Sequence, residues 1–262
     1  MSVVISRAAS SAARKAKRET ALLGIAGVIC FLLIAELLPR LGVVNPRFLP
    51  PLSAWMESLA QRFQQPEFWG ALGDTLITWF VGLAIAMVAG TILGMLLGSV
   101  RILRELLTST IEFLRPIPSV ALIPLVVLTL GTGRESTLVL VVYASFWQVL
   151  LQVMYGAQDV DPVARDTARS YRFRFFTEAR QVIWPTALPY IVTGFRLAAS
   201  VALILTITGE LISVAQQSGA VASMYGLIFV TGILGVLVNI GARTVERRLL
   251  FWHTSVRREA NS

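Results

Sequence analysis

The sequence predicts an all-α membrane protein of about six transmembrane helices, and three observations carry that expectation. Hydrophobic residues make up 55% of the 262 residues and charged residues 15%, with a mean hydropathy of +0.71. These values lie outside the range of soluble globular domains. Apolar runs long enough to cross about 30 Å of hydrocarbon recur along the chain. The arginines gather at the ends of those runs, with Arg196 as the exception inside one.

Spans are expected near 21–40, 75–99, 117–132, 136–156, 187–209 and 222–242. They divide the chain into a basic tail at 1–20, a membrane domain at 21–242 with a polar loop at 157–186, and a second tail at 243–262. The first apolar run is long and lacks a small-residue cleavage site, so it reads as a retained span and not as a removed signal peptide. On the second, Gly90, Gly94 and Gly98 recur every four residues, a face that lets another helix approach closely. The third is short, follows Arg115-Pro116-Ile117-Pro118 and contains Pro124, which predicts a kinked or partly re-entrant helix. Cys30 lies in an apolar run and reads as a packing residue.

Orientation follows from the basic residues. Arg7, Arg14, Lys15, Lys17 and Arg18 precede the first span, and Arg101, Arg104 and Arg115 follow the second. Arg165, Arg169, Arg172, Arg174 and Arg180 lie in the polar loop, and Arg243, Arg247, Arg248, Arg257 and Arg258 close the chain. The alternating loops hold Arg40, Arg47, Arg62 and Arg134. The positive-inside rule then places both termini and the 157–186 loop in the cytosol of a multi-pass protein in a bacterial inner membrane. The same bias accounts for the net charge of +8. Nucleic-acid binding is a poor competitor, because the arginines form separate clusters tied to span ends.

Inventory excludes several chemistries. Lys15 and Lys17 are the only lysines, so no Gly-Lys-Ser/Thr phosphate loop exists. His253 and Cys30, the single histidine and cysteine, lie at opposite ends of the sequence. A metal site or a Cys–His nucleophile is therefore not expected, and Phe251-Trp252 beside His253 suits interfacial anchoring. No enzyme is expected. Glu36 and Glu210 fall near the outer ends of the first and fifth spans, and no carboxylate is placed at mid-depth. An ion-coupled secondary carrier, which remains the alternative from another class, would be expected to hold one there.

The polar loop is the most informative segment. Residues 163–171 read as a short amphipathic helix, with Val163, Ala164, Ala168 and Tyr171 near one face. Pro185 and Pro189 then stiffen the entry to the fifth span.

An ordered series of motifs accompanies this loop. It comprises Thr75-Leu-Ile-Thr-Trp-Phe-Val-Gly82, Gly90-Thr-Ile-Leu-Gly94-Met-Leu-Leu-Gly98, Leu114-Arg-Pro-Ile-Pro-Ser-Val-Ala-Leu-Ile-Pro124, Asp166-Thr-Ala-Arg-Ser-Tyr171, Pro185-Thr-Ala-Leu-Pro189 and Gly194-Phe-Arg196-Leu-Ala. From about Leu72 onward the chain resembles the permeases of binding-protein-dependent ABC importers, in the branch handling nitrate, sulfonates, taurine and some pyrimidine or flavin precursors. The resemblance implies a type I importer permease fold with a cytoplasmic coupling helix. It also implies two cytoplasmic ATPase subunits that bind ATP and Mg, with no cofactor on this chain. The remaining implied partners are a second permease copy or a related non-identical permease, a soluble binding protein and the lipid bilayer.

Carried over residue by residue, the resemblance assigns Asp166, Thr167, Ala168, Arg169, Ser170, Tyr171 and Arg172 to the ATPase-coupling loop, with Pro185 and Pro189 as its link to the fifth span. Asp166 is expected in the first turn of the coupling helix, Ala168 seated in the ATPase groove, and Tyr171 filling an apolar part of that groove. Arg115 stands either as a second ATPase contact or as a snorkelling residue. Two departures matter. Asp166 replaces the family's glutamate, and Arg172 stands where the family has glycine. Arginine is expected to forbid a tight turn there and to form a salt bridge instead. The segment after Glu210 also looks short for the family, and a non-identical partner permease would account for altered coupling.

Substrate choice is the least determined. Ser145, Gln148 and Gln152 share a face of the fourth span, Tyr143 and Trp147 lie at i, i+4, and the fifth span offers Ser200, Thr206 and Thr208. These side chains either line a translocation path or join helices by hydrogen bonds. Hydroxyls, amides and broken-helix ends suit a small anion such as a sulfonate, taurine or nitrate, whereas Trp147 suits a flat heterocycle.

Overall fold

In the computed structural model, residues 2–218 and 221–249 are described, with side chains over 19–20, 22–209 and 224–248. The side chains of the basic N-terminal tail and of Glu210, and all of Phe251, Trp252 and His253, fall outside those residues. Every regular element among the described residues is helical. α1 runs Ser2–Arg40, α2 Leu52–Phe63, α3 Pro66–Ser99, α4 Arg101–Leu114 and α5 Ile123–Leu130. They are followed by α6 Arg134–Gln158, α7 Pro162–Ser170, α8 Phe175–Glu178, α9 Trp184–Ser218 and α10 Val221–Leu249.

Five helices are long and apolar enough to cross a membrane, within α1, α3, α6, the continuous run Phe175–Gly209, and α10. A sixth crossing arises when the bent pair Arg101–Leu114 and Ser119–Leu130, angled by 74°, is taken as one broken span. The bend lies at Arg115–Pro118, as the prolines predict. Pro124 has a different role from the one expected: it occupies the first turn of α5, where its missing N–H leaves no bond unmade. The second and fifth spans begin earlier than expected, at Pro66 and Phe175, because amphipathic residues extend each helix beyond its apolar run. α2, an amphipathic helix outside the apolar runs, was not among the expected elements.

The chain divides into two compact units, Met1–Gln65 with Ala220–Ile228 and Pro66–Gly219 with Phe229–Ser262. In the smaller unit the Glu36 carboxylate pairs with Arg40 and accepts the Ser53 N–H at 2.9 Å, closing the turn after α1. Trp55 stacks on Tyr225 at 4.8 Å, and the Tyr225 hydroxyl donates to the Phe48 carbonyl. Cys30 is exposed, which corrects its expected packing role: most of α1 from Leu22 onward turns its side chains outward.

The larger unit is centred on α6, which packs between α3 and α9. Its core joins Leu83 of α3, Val141, Val149 and Val153 of α6, and Ala198, Ala199 and Ala202 of α9. Gly90, Gly94 and Gly98 lie against α6: a Cβ on Gly90 would meet Val149 Cβ at 2.8 Å, on Gly94 Leu150 O at 2.8 Å, and on Gly98 Ala157 Cβ at 2.5 Å. Gly82 and Ala86 extend the same stripe. Trp79 Nε1 donates to the Ala199 carbonyl at 3.0 Å, tying α3 to α9.

Candidate functional site

Between α6 and α9 the chain leaves the apolar bundle and folds back on itself through α7, α8 and a π turn at Ala179–Ile183. α7 has nine residues, too few to persist alone, so its ends carry the stabilisation. Asp161 caps the N-terminus, its Oδ1 accepting the Val163 N–H at 2.8 Å, and Pro162 follows at the first helical position. Asp166 therefore lies in the middle of α7, correcting its expected place in the first turn.

At the other end, Arg172 N–H donates to Arg169 O at 2.9 Å and Phe173 N–H to Ala168 O at 3.0 Å, while Arg172 takes φ 53°. This is a Schellman termination with a left-handed residue at C′. Arg172 thus makes the tight turn that arginine was expected to forbid, at a cost of about 1 kcal/mol relative to glycine. Among the described residues the expected salt bridge is also absent: the ion pairs of the segment are Arg169–Asp166 and Arg165–Glu178, and Arg172 joins neither.

The faces of α7 differ from the expected stripe. Ala168 is 3% exposed, packed into its own chain, whereas Val163 and Tyr171 are 73% and 76% exposed. Ala168 is therefore not free to seat in a partner's groove. The inward edge instead carries Ala168 and the half-buried Arg165. Ala164, Asp166, Thr167, Arg169, Ser170 and Arg172 face outward, and Phe176 of α8 is 83% exposed. Thr167 and Ser170 return their hydroxyls to the Val163 and Asp166 carbonyls. Asp166 and Arg169 form an exposed pair at 3.5 Å, of little energetic weight.

Inward contacts anchor the segment at two levels. Tyr190 of α9 donates to Asp159 Oδ2 at 2.7 Å, and its ring covers Gly156, where a Cβ would come within 2.7 Å. Arg165 reaches the Ala157 carbonyl with Nη2 at 3.4 Å and places Nε 3.8 Å from Glu178 Oε1. The π turn then delivers Pro185: the Trp184 N–H bonds Ala179 O, widening the helix where the Pro185 ring would otherwise strike the carbonyl four residues back. Pro189 lies inside α9, and Thr193 donates to its carbonyl. Asp159, Asp161, Arg165, Glu178 and Tyr190 were not singled out from sequence. Asp161-Pro162 carries a legible cap-and-proline signal; the two tertiary pairs carry none.

The remaining expected residues separate into different environments. Arg115 is exposed at the α4–α5 elbow. Tyr143 braces that elbow by donating to the Leu114 carbonyl at 3.0 Å, and meets Trp147 edge-on at 6.0 Å. Ser145 and Thr206 are fully buried, bonded to the Ala198 and Ala202 carbonyls, which makes them helix-packing residues within this chain and not part of an open lining. Gln148 and Gln152 are half-buried on α6, with Gln152 Cβ against Gly194. Ser200 and Thr208 donate to carbonyls one turn back on α9.

Residues 82–251 match the family described as the binding-protein-dependent transport system inner membrane component. The chain belongs to that family. This permease is 29% identical to the taurine transport system permease of Escherichia coli K12, over 82% of its own length and 84% of that protein. It is 26% identical to a putative aliphatic sulfonates transport permease of Bacillus subtilis 168, over 85% and 84%. Identity to the bicarbonate transport system permease of Synechococcus elongatus is 25%, over 86% and 85%. In fold it is similar to the inward-facing MetNI methionine ABC transporter, with a TM-score of 0.60 at 19% identity, covering 71% of this chain and 98% of that one. A bacterial alginate ABC importer gives 0.60 at 14% identity, over 88% and 96%. The fold is that of a type I ABC importer permease, and the chain is a multi-pass inner-membrane translocation subunit.

Proposed function

We propose that this permease forms the translocation path of an ATP-driven importer and takes its driving force through α7. The observation that carries the reading is the exposure of Val163, Tyr171 and Phe176 on an arginine-rich polar segment. Apolar side chains this exposed outside the spans favour a protein partner. The clustering of arginines in this loop favours a cytosolic position for the segment, where the partner is an ATPase subunit holding ATP and Mg. Two such ATPases serve a pair of permeases, either two copies of this chain or this chain with a related one, and a soluble binding protein delivers the solute. Arg169 and Arg172 supply charge-assisted contacts at the rim, and Pro185 and Pro189 stiffen the connection to α9. The relatives named for taurine, aliphatic sulfonates and bicarbonate favour a small anionic solute, with a sulfonate, taurine or nitrate as the leading choices.

Reconstitution in liposomes tests this. The permease purified with its ATPase should hydrolyse ATP faster when the binding protein is added and should accumulate solute only with ATP. Tyr171→Ala and Phe176→Ala should weaken ATPase co-purification about tenfold or more, as loss of interface anchors does. Uptake driven by a proton or sodium gradient without any ATPase would sink the reading, as would wild-type co-purification of both variants.

A further inference from the structure

α7 is joined to α9 by more than the peptide chain. The covalent route runs through Tyr171–Arg174, an irregular linker whose side chains are exposed and whose turn depends on one left-handed residue. Such a linker bends under load and would dissipate a displacement of α7. A second route is direct: Arg165 projects from the inward edge of α7 to Glu178, the last residue of α8, immediately before the π turn that opens α9. Both side chains are shielded, at 29% and 22% exposure, so their attraction is less screened than that of the outward Arg169–Asp166 pair, whose members are 70% and 72% exposed.

The geometry of the pair is specific. Arg165 Nε is buried and has no hydrogen-bond partner among the described residues, and the Glu178 oxygen lies 3.8 Å away, within ion-pair range but beyond hydrogen-bonding distance. A buried guanidinium N–H left unmade favours any movement of α7 toward α8 that closes this gap. The other Arg165 contact, from Nη2 to the Ala157 carbonyl, fixes the guanidinium on the end of α6. Below it, the Tyr190–Asp159 bond and the close contact of Tyr190 with Gly156 hold the base of α9 against the base of α6. A lever needs a fixed point at its base and an attachment for the load: Tyr190–Asp159 supplies the first, and closure of the Arg165–Glu178 gap supplies the second.

We propose that Arg165 and Glu178 form the strut that transmits displacement of α7 to α9, with Asp159–Tyr190 as its pivot. The proposal rests on the reading of α7 as the ATPase-docking helix. Arg165 and Glu178 are positioning residues. They face inward, away from the docking surface, and act on the solute path only through α9.

The test uses the full importer in liposomes, with ATP hydrolysis and solute uptake measured together. Arg165→Gln and Glu178→Gln should each retain ATPase co-purification while solute imported per ATP falls about three- to tenfold. The exchange Arg165→Glu with Glu178→Arg should recover at least half of the wild-type ratio, because it restores the attraction with its poles reversed. An unchanged ratio in either single variant overturns the strut, and so does an exchange no better than the singles. Loss of insertion or assembly in Glu178→Gln also overturns it, since the pair then holds the fold and does not transmit. These outcomes are separate from failure of the docking reading, which shows as intact ATPase co-purification in Tyr171→Ala and Phe176→Ala.

Discussion

Arg172 turns the chain at φ 53°, a conformation that costs an L-residue with a side chain about 1 kcal/mol and costs glycine almost nothing. Two hydrogen bonds, from its own N–H to the Arg169 carbonyl and from the Phe173 N–H to the Ala168 carbonyl, hold the turn in place against that cost. Arg172→Gly should therefore raise the thermal stability of the purified permease slightly while uptake is retained. Arg172→Pro, whose ring fixes φ near −65°, should break the turn and abolish ATP-driven uptake in a protein that still inserts. At the opposite end of α7, Asp161→Ala removes the side-chain acceptor of the Val163 N–H and should cost about 1 kcal/mol, read as a lower thermal midpoint. Asp166→Ala removes only an exposed pair and should leave that midpoint unchanged. At this scale the sequence located the loop but not its internal roles. The Asp166–Arg172 motif marks the segment, whereas burial of Ala168 and the left-handed Arg172 depend on how α7 is laid against its own chain.

Among elements, the α3–α6 contact is the one whose chemistry was most legible in advance. The expected stripe of Gly90, Gly94 and Gly98 brings the two backbones together, and the structure extends it through Ala86 to Gly82. No space remains for a side chain: a Cβ on Gly94 would lie 2.8 Å from both Leu150 O and Val153 Cβ. Gly94→Leu should therefore force the helices apart, cost about 1–3 kcal/mol or more, and lower the yield of folded protein. Gly73 supplies the control on the same helix, because nothing lies within 4 Å of its Cβ position. Gly73→Ala should leave the thermal midpoint unchanged or raise it, as alanine favours helix. Fluorescence-detected size exclusion after graded heating distinguishes the two variants. Periodicity reports which face of a helix is small, but it does not report where a helix starts. α3 begins at Pro66 and the fifth span at Phe175 because polar, amphipathic turns extend them past their apolar runs. The π turn at Ala179–Ile183 was equally hidden, since its cause is the steric demand of Pro185 on a carbonyl it meets only in the folded helix.

For the molecule as a whole, composition and arginine placement fixed the class, an α-helical membrane protein with its polar loop between the fourth and fifth crossings. The contacts that make the larger unit cohere were not readable from spacing. Arg196, the arginine inside a span, pairs with Glu246 of α10 at 3.2 Å, and Trp79 bonds the Ala199 carbonyl 120 residues away. Each depends on which helices become neighbours. Orientation is the property on which the coupling reading depends, and the arginine distribution predicts that Arg165, Arg169, Arg172, Arg174 and Arg180 lie on the cytosolic side and Arg40 and Arg47 on the outer side. Single cysteines test it in intact cells. Cys30 is first removed as Cys30→Ser, so that each variant carries a single cysteine. In that background Phe48→Cys, at a position 74% exposed, should label with a membrane-impermeant maleimide. Ser170→Cys, exposed at the end of α7, should label only after the cells are opened. Labelling of Ser170→Cys from outside would invert the protein in the membrane. α7 would then lie beyond the reach of any cytosolic ATPase, and the docking surface and the Arg165–Glu178 strut would fall together.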